Sequence, residues 1–230
     1  MSTIIISDIH GCSRALTRLL EKLDPSPRKD SLILLGDLFD RGPDSWEVFE
    51  IVRSLRDVYG ERFVLLRGNH EDYLLSEKLT FMQKRMWDHV GRQATVKSFK
   101  KHGRQMEDTV PFLKANCQLY YKDETIQCVH AGLKVEPIEI NDVQTMVHDH
   151  GIVKENRYAG TLTVTGHIAI RHPTWFAGDE KTAEELPLKE ERPLPEKGII
   201  CIDTGCGKGG MLTAMVVTGK TYTLVSTPEG

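Results

Sequence analysis

The sequence predicts a mixed α/β fold with strands on more than one sheet. Three observations carry that prediction. Short continuous apolar runs alternate with amphipathic stripes over the first seventy residues. A stretch of helical character follows, from Glu71 to Asn116. The remainder is rich in short runs of β-forming residues separated by turns.

Ile4-Ile5-Ile6 lies within a first strand, Thr3 to Ser7, and reads as a strand buried on both faces. Ser13 to Leu23 carries Ala15, Leu16, Leu19, Leu20 and Leu23 at helical spacing, and Pro25 and Pro27 end it. Leu32 to Leu35 is a second strand. Ser45 to Tyr59 is a second amphipathic helix, and Phe63 to Leu66 a third strand. This β-α-β-α-β order predicts parallel strands with right-handed crossovers. Glu71 to about His102 reads as helices, and Gln105 to Asn116 as a further helix interrupted by Pro111. Leu119 to Tyr121 and Thr125 to His130 form strands joined at Lys122-Asp123-Glu124. Thr161 to Thr165, Gly198 to Asp203, Met211 to Thr218 and Thr221 to Ser226 complete the strands. Asp179 to Lys197, charged and holding three prolines, reads as an exposed loop or insertion. The expectation is one domain over residues 1–230, with 71–117 as a helical cap and 173–197 as a loop insertion near the cleft rim.

The 230 residues carry a net charge of -3, so the basic footprint of a duplex nucleic-acid binder is missing. No apolar run approaches the roughly 18 residues of a membrane span. The start lacks a charged segment and a small-residue cleavage site, which sets the expectation of a cytoplasmic protein. Cys12, Cys117, Cys128, Cys201 and Cys206 are odd in number and irregular in spacing, against a disulfide framework or a zinc knuckle. Gly205-Cys206-Gly207-Lys208-Gly209-Gly210 lies between two strands and lacks the order of a phosphate-binding loop.

Chemistry concentrates where predicted strands end. Asp8-Ile9-His10-Gly11, Gly36-Asp37-Leu38-Phe39-Asp40-Arg41-Gly42, Gly68-Asn69-His70-Glu71 and His130-Ala131-Gly132 each follow a strand, and Gly166-His167 comes later. In open α/β sheets, ligands bind beyond the carboxyl ends of the strands. Asp8 and His10 alternate, so an extended backbone points both to one side. Asp8, His10, Asp37, Asn69, His130 and His167 are therefore candidate metal ligands. The mixed nitrogen and oxygen set suits manganese, iron, zinc or nickel better than calcium, and the expectation is two divalent ions, manganese first. Two ions ~3.5–4 Å apart hold a bridging water, lower its pKa and polarise a phosphoryl group. Arg41 is left to grip phosphate oxygens, His70 to protonate a leaving oxygen, and Asp40 to orient His70. Any one of these histidines alone would read as an ordinary core or surface residue; four in strand-end motifs do not. His148 and His150 read as a solvated loop or helix end.

At these residues the chain resembles the calcineurin-like metallophosphoesterases, and within them the phosphoprotein phosphatase branch of bacterial and phage type. The resemblance rests on Ser7-Asp8-Ile9-His10-Gly11, Gly36-Asp37-Leu38-Phe39-Asp40-Arg41-Gly42 and Gly68-Asn69-His70-Glu71, in that order. His130-Ala131-Gly132, Gly166-His167 and Ile202-Asp203-Thr204-Gly205 continue it. It implies a four-layer α-β-β-α fold, a central β-sandwich flanked by helices. It implies one ion on Asp8, His10 and Asp37 and a second on Asp37, Asn69, His130 and His167. Ala169 stands where many other branches have a further ligand histidine. Close relatives carry a second phosphate-binding arginine before Gly-His, but Val143 to Ile152 holds none; Arg157 and Arg171 are the nearby arginines. The implied activity is hydrolysis of serine/threonine phosphoproteins. The later motifs are also similar to symmetrical dinucleoside tetraphosphatases, which makes a small nucleotide phosphoester the alternative substrate. A catalytically silent binding protein on the same fold is the third reading. Composition and resemblance leave the oligomeric state open.

Overall fold

The three apolar runs that open the chain form the centre of a seven-stranded sheet. The computed structural model describes residues 1–229. Strands β1 (Thr3–Ile6), β2 (Ser31–Leu34) and β3 (Phe63–Leu66) pair in parallel, β1 with β2 and β2 with β3. Helix α1 (Ser13–Leu23) crosses from β1 to β2 and α2 (Ser45–Tyr59) from β2 to β3. Both helices have the bounds that their apolar stripes predict.

The runs are continuous because each strand is covered twice. Ile4, Ile6, Leu32, Leu34, Phe63 and Leu65 pack with residues of α1 and α2, among them Leu16, Leu19, Val48 and Phe49. Their alternates Ile5, Ile33, Val64 and Leu66 face a second sheet and meet Cys128, Val164 and Ile200. Each such side chain, fully buried, contributes about 1.5–3 kcal/mol.

After β3 the helices α3 (Asn69–Leu75), α4 (Phe81–His89), α5 (Arg92–Lys101) and α6 (Val110–Asn116) follow. Pro111 does not interrupt a helix from Gln105. A 3-10 turn over Met106–Thr109 precedes α6, and Pro111 sits in its first turn, where a missing N–H costs nothing. The chain then changes sheets at Leu119. The two-residue strand β4 (Cys117–Gln118) pairs with β3, whereas β5 (Tyr120–Lys122) pairs antiparallel with β6 (Gln127–Val129) in the second sheet.

Helices α7 (Val143–His148) and α8 (Gly151–Glu155) cover the outer face of the second sheet, where Met146, Val147, Ile152 and Val153 meet Val129, Ile199 and Cys201. That sheet also holds β7 (Thr163–Thr165), β8 (Thr174–Phe176), β9 (Ala183–Glu185) and β11 (Ile199–Cys201), in the order β5-β6-β7-β11-β8-β9. The first sheet is completed by β10 (Arg192–Pro193), β12 (Met211–Thr218) and β13 (Thr221–Pro228), in the order β10-β13-β12-β1-β2-β3-β4. The result is two sheets flanked by helices on both outer faces, as the sequence predicts.

The segment 173–197 differs from its reading as a loop. It contributes β8 and β9 to one sheet and β10 to the other. Its inward residues Trp175, Leu186 and Leu194 close the end of the inter-sheet core against Tyr222, so few buried apolar positions among many charges were enough to order it. β10 pairs with Tyr222 and Thr221, beside the turn that follows Thr218. The opposite end of β12 meets Ser7, at the carboxyl end of β1. Residues 192–197 thus lie at the far end of the sandwich from Asp8, not on the cleft rim. Among the described residues, no helix is long and apolar enough to cross a membrane.

Candidate dimetal site

The parallel strands deliver the predicted residues to one rim. Ile5-Ile6 leads into Asp8 and His10, Ile33-Leu34 into Asp37, and Leu65-Leu66 into Asn69 and His70 at the start of α3. The second sheet adds His130 after β6 and His167 after β7. His10, Asp37, Asp40, Arg41 and His167 all have positive φ, between 46° and 70°. Non-glycine residues hold that conformation at a cost of about 1–3 kcal/mol each, and such strain clusters at functional sites.

Asp37 is the shared corner. Ligand-type atoms of His10, Asp37 and His70 lie within 4.8 Å of one another, and so do those of Asp37, His130 and His167. Asp37 Oδ2 is 3.6 Å from His10 Nε2, and Oδ1 is 3.6 Å from His130 Nε2. Asn69 Oδ1 lies 2.9 Å from His167 Nδ1 and 3.2 Å from His130 Nε2. The main chain fixes two tautomers. His10 Nδ1 donates to Phe39 O (2.9 Å) and His130 Nδ1 to Leu35 O (2.8 Å), because a carbonyl only accepts. Their Nε2 lone pairs are thereby turned toward Asp37. The backbone N–H of His167 donates to Asp8 Oδ2 at 3.0 Å.

Burial sets the electrostatics. It favours the neutral form of His10, His130 and His167; for His167, with His130 beside it, the pKa falls to about 2. Burial alone would raise Asp37, but His130, His70, His10 and His167 around it hold it well below the carboxylate range. Asp8 goes the other way: burial, Asp203 and Asp37 push its carboxyl well up. Burial also raises Asp203. Asp8 Oδ1 and Asp203 Oδ2 are buried with no hydrogen-bond partner. The groups His10-Asp37-His70 and Asp37-His130-His167, imidazole nitrogens converging on a shared carboxylate, are a donor set that fits divalent cations, and these orphaned oxygens stand outside both groups.

His70 faces both Asp37 and Asp40. Its Nδ1 is 2.6 Å from Asp40 Oδ2, and its Nε2 is 3.8 Å from Asp37 Oδ2. Burial disfavours the imidazolium, yet Asp37 and Asp40 more than offset it, so its pKa lies above the ordinary value. The Arg41 guanidinium contacts His10 Nε2, at the mouth of the first cluster.

Several residues at the site carry roles that the motifs do not announce. Trp87 Nε1–H donates to Asp40 Oδ2, and Thr95 Oγ1–H to Asp40 Oδ1, both at 2.6 Å. These come from α4 and α5, and no spacing relates them to Asp40. Glu71 accepts from the N–H groups of Asp37 (2.7 Å), Leu38 (2.9 Å) and Gly68 (3.0 Å), which locks the second and third motifs together. Burial and Asp37 push its carboxyl up to about 7. Here a signal existed: Glu three residues after Gly68 is the spacing of a helix-start carboxylate.

The two arginines considered for the second phosphate contact are not there. Arg157 is 65% exposed and pairs with Glu180 and Glu155, and Arg171 is exposed. His148 and His150 occupy that side instead. His148 ends α7 with its Nε2 2.8 Å from Asp72 Oδ2, and the His150 ring packs edge-on against His167 with centroids 4.5 Å apart.

The calcineurin-like phosphoesterase pattern matches residues 1–201 of this chain. The chain belongs to the calcineurin-like phosphoesterase family. A curated relative, the symmetrical bis(5'-nucleosyl)-tetraphosphatase of Baumannia cicadellinicola subsp. Homalodisca coagulata, is 43% identical over 90 residues. That match covers 39% of this chain and 30% of the relative, so the chain spans less than a third of that protein's length. Among solved structures, a metallophosphoesterase from Sphaerobacter thermophilus superposes with a TM-score of 0.67 at 18% identity, covering 99% of this chain and 88% of its own. A cold-active protein tyrosine phosphatase superposes with a TM-score of 0.66 at 15% identity, covering 99% and 78%. Likenesses at this identity extend to the phosphoesterase fold.

Proposed function

We propose that this family member is a dimetal-dependent phosphoester hydrolase acting on serine/threonine phosphoproteins. The observation that carries the hydrolase reading is Asp37, one carboxylate with a separate group of imidazoles on each oxygen. Asp8, His10 and Asp37 would hold one ion, and Asp37, Asn69, His130 and His167 the other. Bound there, divalent cations supply Lewis acidity toward a phosphoryl group and a water of lowered pKa, with manganese the first choice.

The remaining residues serve the substrate. Arg41 presents a planar cation suited to two phosphate oxygens. Asp37 and Asp40 favour the protonated ring of His70, whose Nε2 is the atom to pass a proton to the departing oxygen. Asp40 fixes the ring through Nδ1 and is itself fixed by Trp87 and Thr95.

The phosphoprotein reading draws on the motif resemblance and on the exposed, basic helices beside the site. A second reading, hydrolysis of dinucleoside tetraphosphates, is favoured by the activity for which the Baumannia cicadellinicola relative is named. The test is turnover of manganese-loaded protein on a phosphoserine/phosphothreonine peptide and on diadenosine tetraphosphate, side by side. Preference for the peptide is expected. Preference for the dinucleotide replaces the substrate, and activity on neither with ions bound leaves a binding protein. Asp37→Ala should lose both ions and all turnover; full metal content in that variant would remove Asp37 from its bridging role.

A further inference from the structure

Helix α4 is held by one side chain. Trp87 is its buried residue, stacked on Tyr73 with centroids 5.8 Å apart and covered by Arg92. The indole N–H reaches Asp40, which orients His70. The other face of the helix is bare. Phe81, Met82 and Met86 are 72%, 70% and 52% exposed. At 100° per residue they fall with Arg85 inside one arc of about 140°, and Trp87 lies beyond it. Exposed apolar residues gathered on one surface mark interaction sites.

Charge says what fits that surface. Residues 77–104 hold eight Lys and Arg against two Asp and Glu, whereas the rest of the chain holds 22 against 31. Arg92 and Lys101 are spent on Asp88 and Glu47. Lys78, Lys84 and Arg85, which flank the apolar residues, have no acidic partner within 4 Å among the described residues. Arg85 lies over the Phe81 ring at 5.9 Å, its charge free to face outward.

We propose that the exposed face of α4 is a docking surface for an acidic polypeptide segment with an apolar anchor, belonging to the phosphoprotein substrate. Phe81, Met82 and Met86 take the anchor, while Lys78, Lys84 and Arg85 take the carboxylates. This substrate assignment rests on the phosphoprotein reading above; the surface itself does not. The docking face stands about one helix diameter, ~10–12 Å, beyond the Trp87 side. At ~3.3 Å per extended residue, the docking segment lies some four residues or more from the phosphorylated one.

The experiment compares wild type with Met82→Glu/Met86→Glu and with Arg85→Glu, none of which touches the site. One probe is an unphosphorylated peptide with a Glu-Glu-Phe-Glu segment, read by fluorescence anisotropy. The same peptide bearing a phosphoserine five residues away, and para-nitrophenyl phosphate, are the kinetic probes. Each variant should weaken peptide binding about tenfold or more. KM on the phosphopeptide should rise to match, with kcat and para-nitrophenyl phosphate turnover unchanged. Replacing the glutamates of the peptide by lysines should abolish binding to wild type. Equal binding and equal KM in all three proteins would overturn the proposal. So would a loss confined to phosphatidylserine vesicles, to diadenosine tetraphosphate turnover, or to self-association in sedimentation. If wild type binds the peptide through α4 but hydrolyses no phosphopeptide, docking of an acidic segment stands and the phosphoprotein reading falls.

Discussion

At the residue scale, His70 and Asp40 carry the clearest consequences. If His70 donates the proton to the leaving oxygen as proposed, its loss matters in proportion to how poor that group is. His70→Ala should keep its ions and lose about 10²–10⁴-fold in turnover on alkyl phosphates, with far less loss on para-nitrophenyl phosphate. Equal losses on both would argue against proton donation. Asp40 is buried and accepts from Trp87 and Thr95 as well as facing His70. Trp87→Phe removes one charge-assisted hydrogen bond and leaves a ring in place. It should destabilise the fold by about 1.5–3 kcal/mol in urea titration and lower kcat on poor leaving groups, at unchanged metal content. A variant as stable and as active as wild type would show that the indole only fills space.

At the scale of elements, α3 and α7 are clamped across the cleft. Asp72 on α3 accepts from Arg67 at 2.5 Å through Oδ1 and faces His148 of α7 at 2.8 Å through Oδ2. Burial alone would raise the Asp72 carboxyl, but His148 and Arg67 outweigh it and hold the pKa below its ordinary 3.8. A depressed carboxylate contributes stability that is present above the unfolded pKa and lost as pH falls through the folded one. The stability gap between wild type and Asp72→Asn should therefore be full at pH 5 to 7 and shrink below about pH 4. A gap independent of pH over that range would mean that the clamp is packing rather than charge. α3 also begins at the site. Its first N–H groups include that of His70, which donates to Asp37 Oδ1 at 3.0 Å, and a Cβ on Gly68 would overlap the same carboxylate.

At the scale of the whole molecule, the site joins the two sheets. Asp8, His10, Asp37, Asn69 and His70 follow strands of the first sheet, while His130 and His167 follow strands of the second. Ions shared by these residues would cross-link the sandwich as well as supply chemistry. Manganese at a hundredfold over its Kd should add about 2.7 kcal/mol and raise Tm by roughly 5–10 °C for each ion bound, with Asp37→Ala losing the shift. An unchanged Tm at saturating manganese would count against a built metal site.

The parts legible in the sequence are those that local physics sets. Ile4-Ile5-Ile6 reads as a doubly buried strand because the run is continuous. Ser13–Leu23 and Ser45–Tyr59 read as helices because their stripes have one period and their ends have breakers. Asp8, His10, Asp37, Asn69 and His70 are legible because each follows such a strand, and parallel strands bring their carboxyl ends to one rim. What sequence could not reach depends on contacts between distant segments. Trp87 and Thr95 meet Asp40 across 47 and 55 residues. The segment 173–197 becomes strands because Leu186 and Leu194 find the open end of the inter-sheet core. Sequence thus determined the chemistry on offer and the elements that present it, because helical and strand periods are local. Tertiary structure alone decided that Asp37 stands between two groups of imidazoles, that Asp40 is held by α4 and α5, and that α4 turns Phe81, Met82 and Met86 outward. Those outcomes follow from which faces the packed core leaves covered, and no stretch of chain sets that by itself.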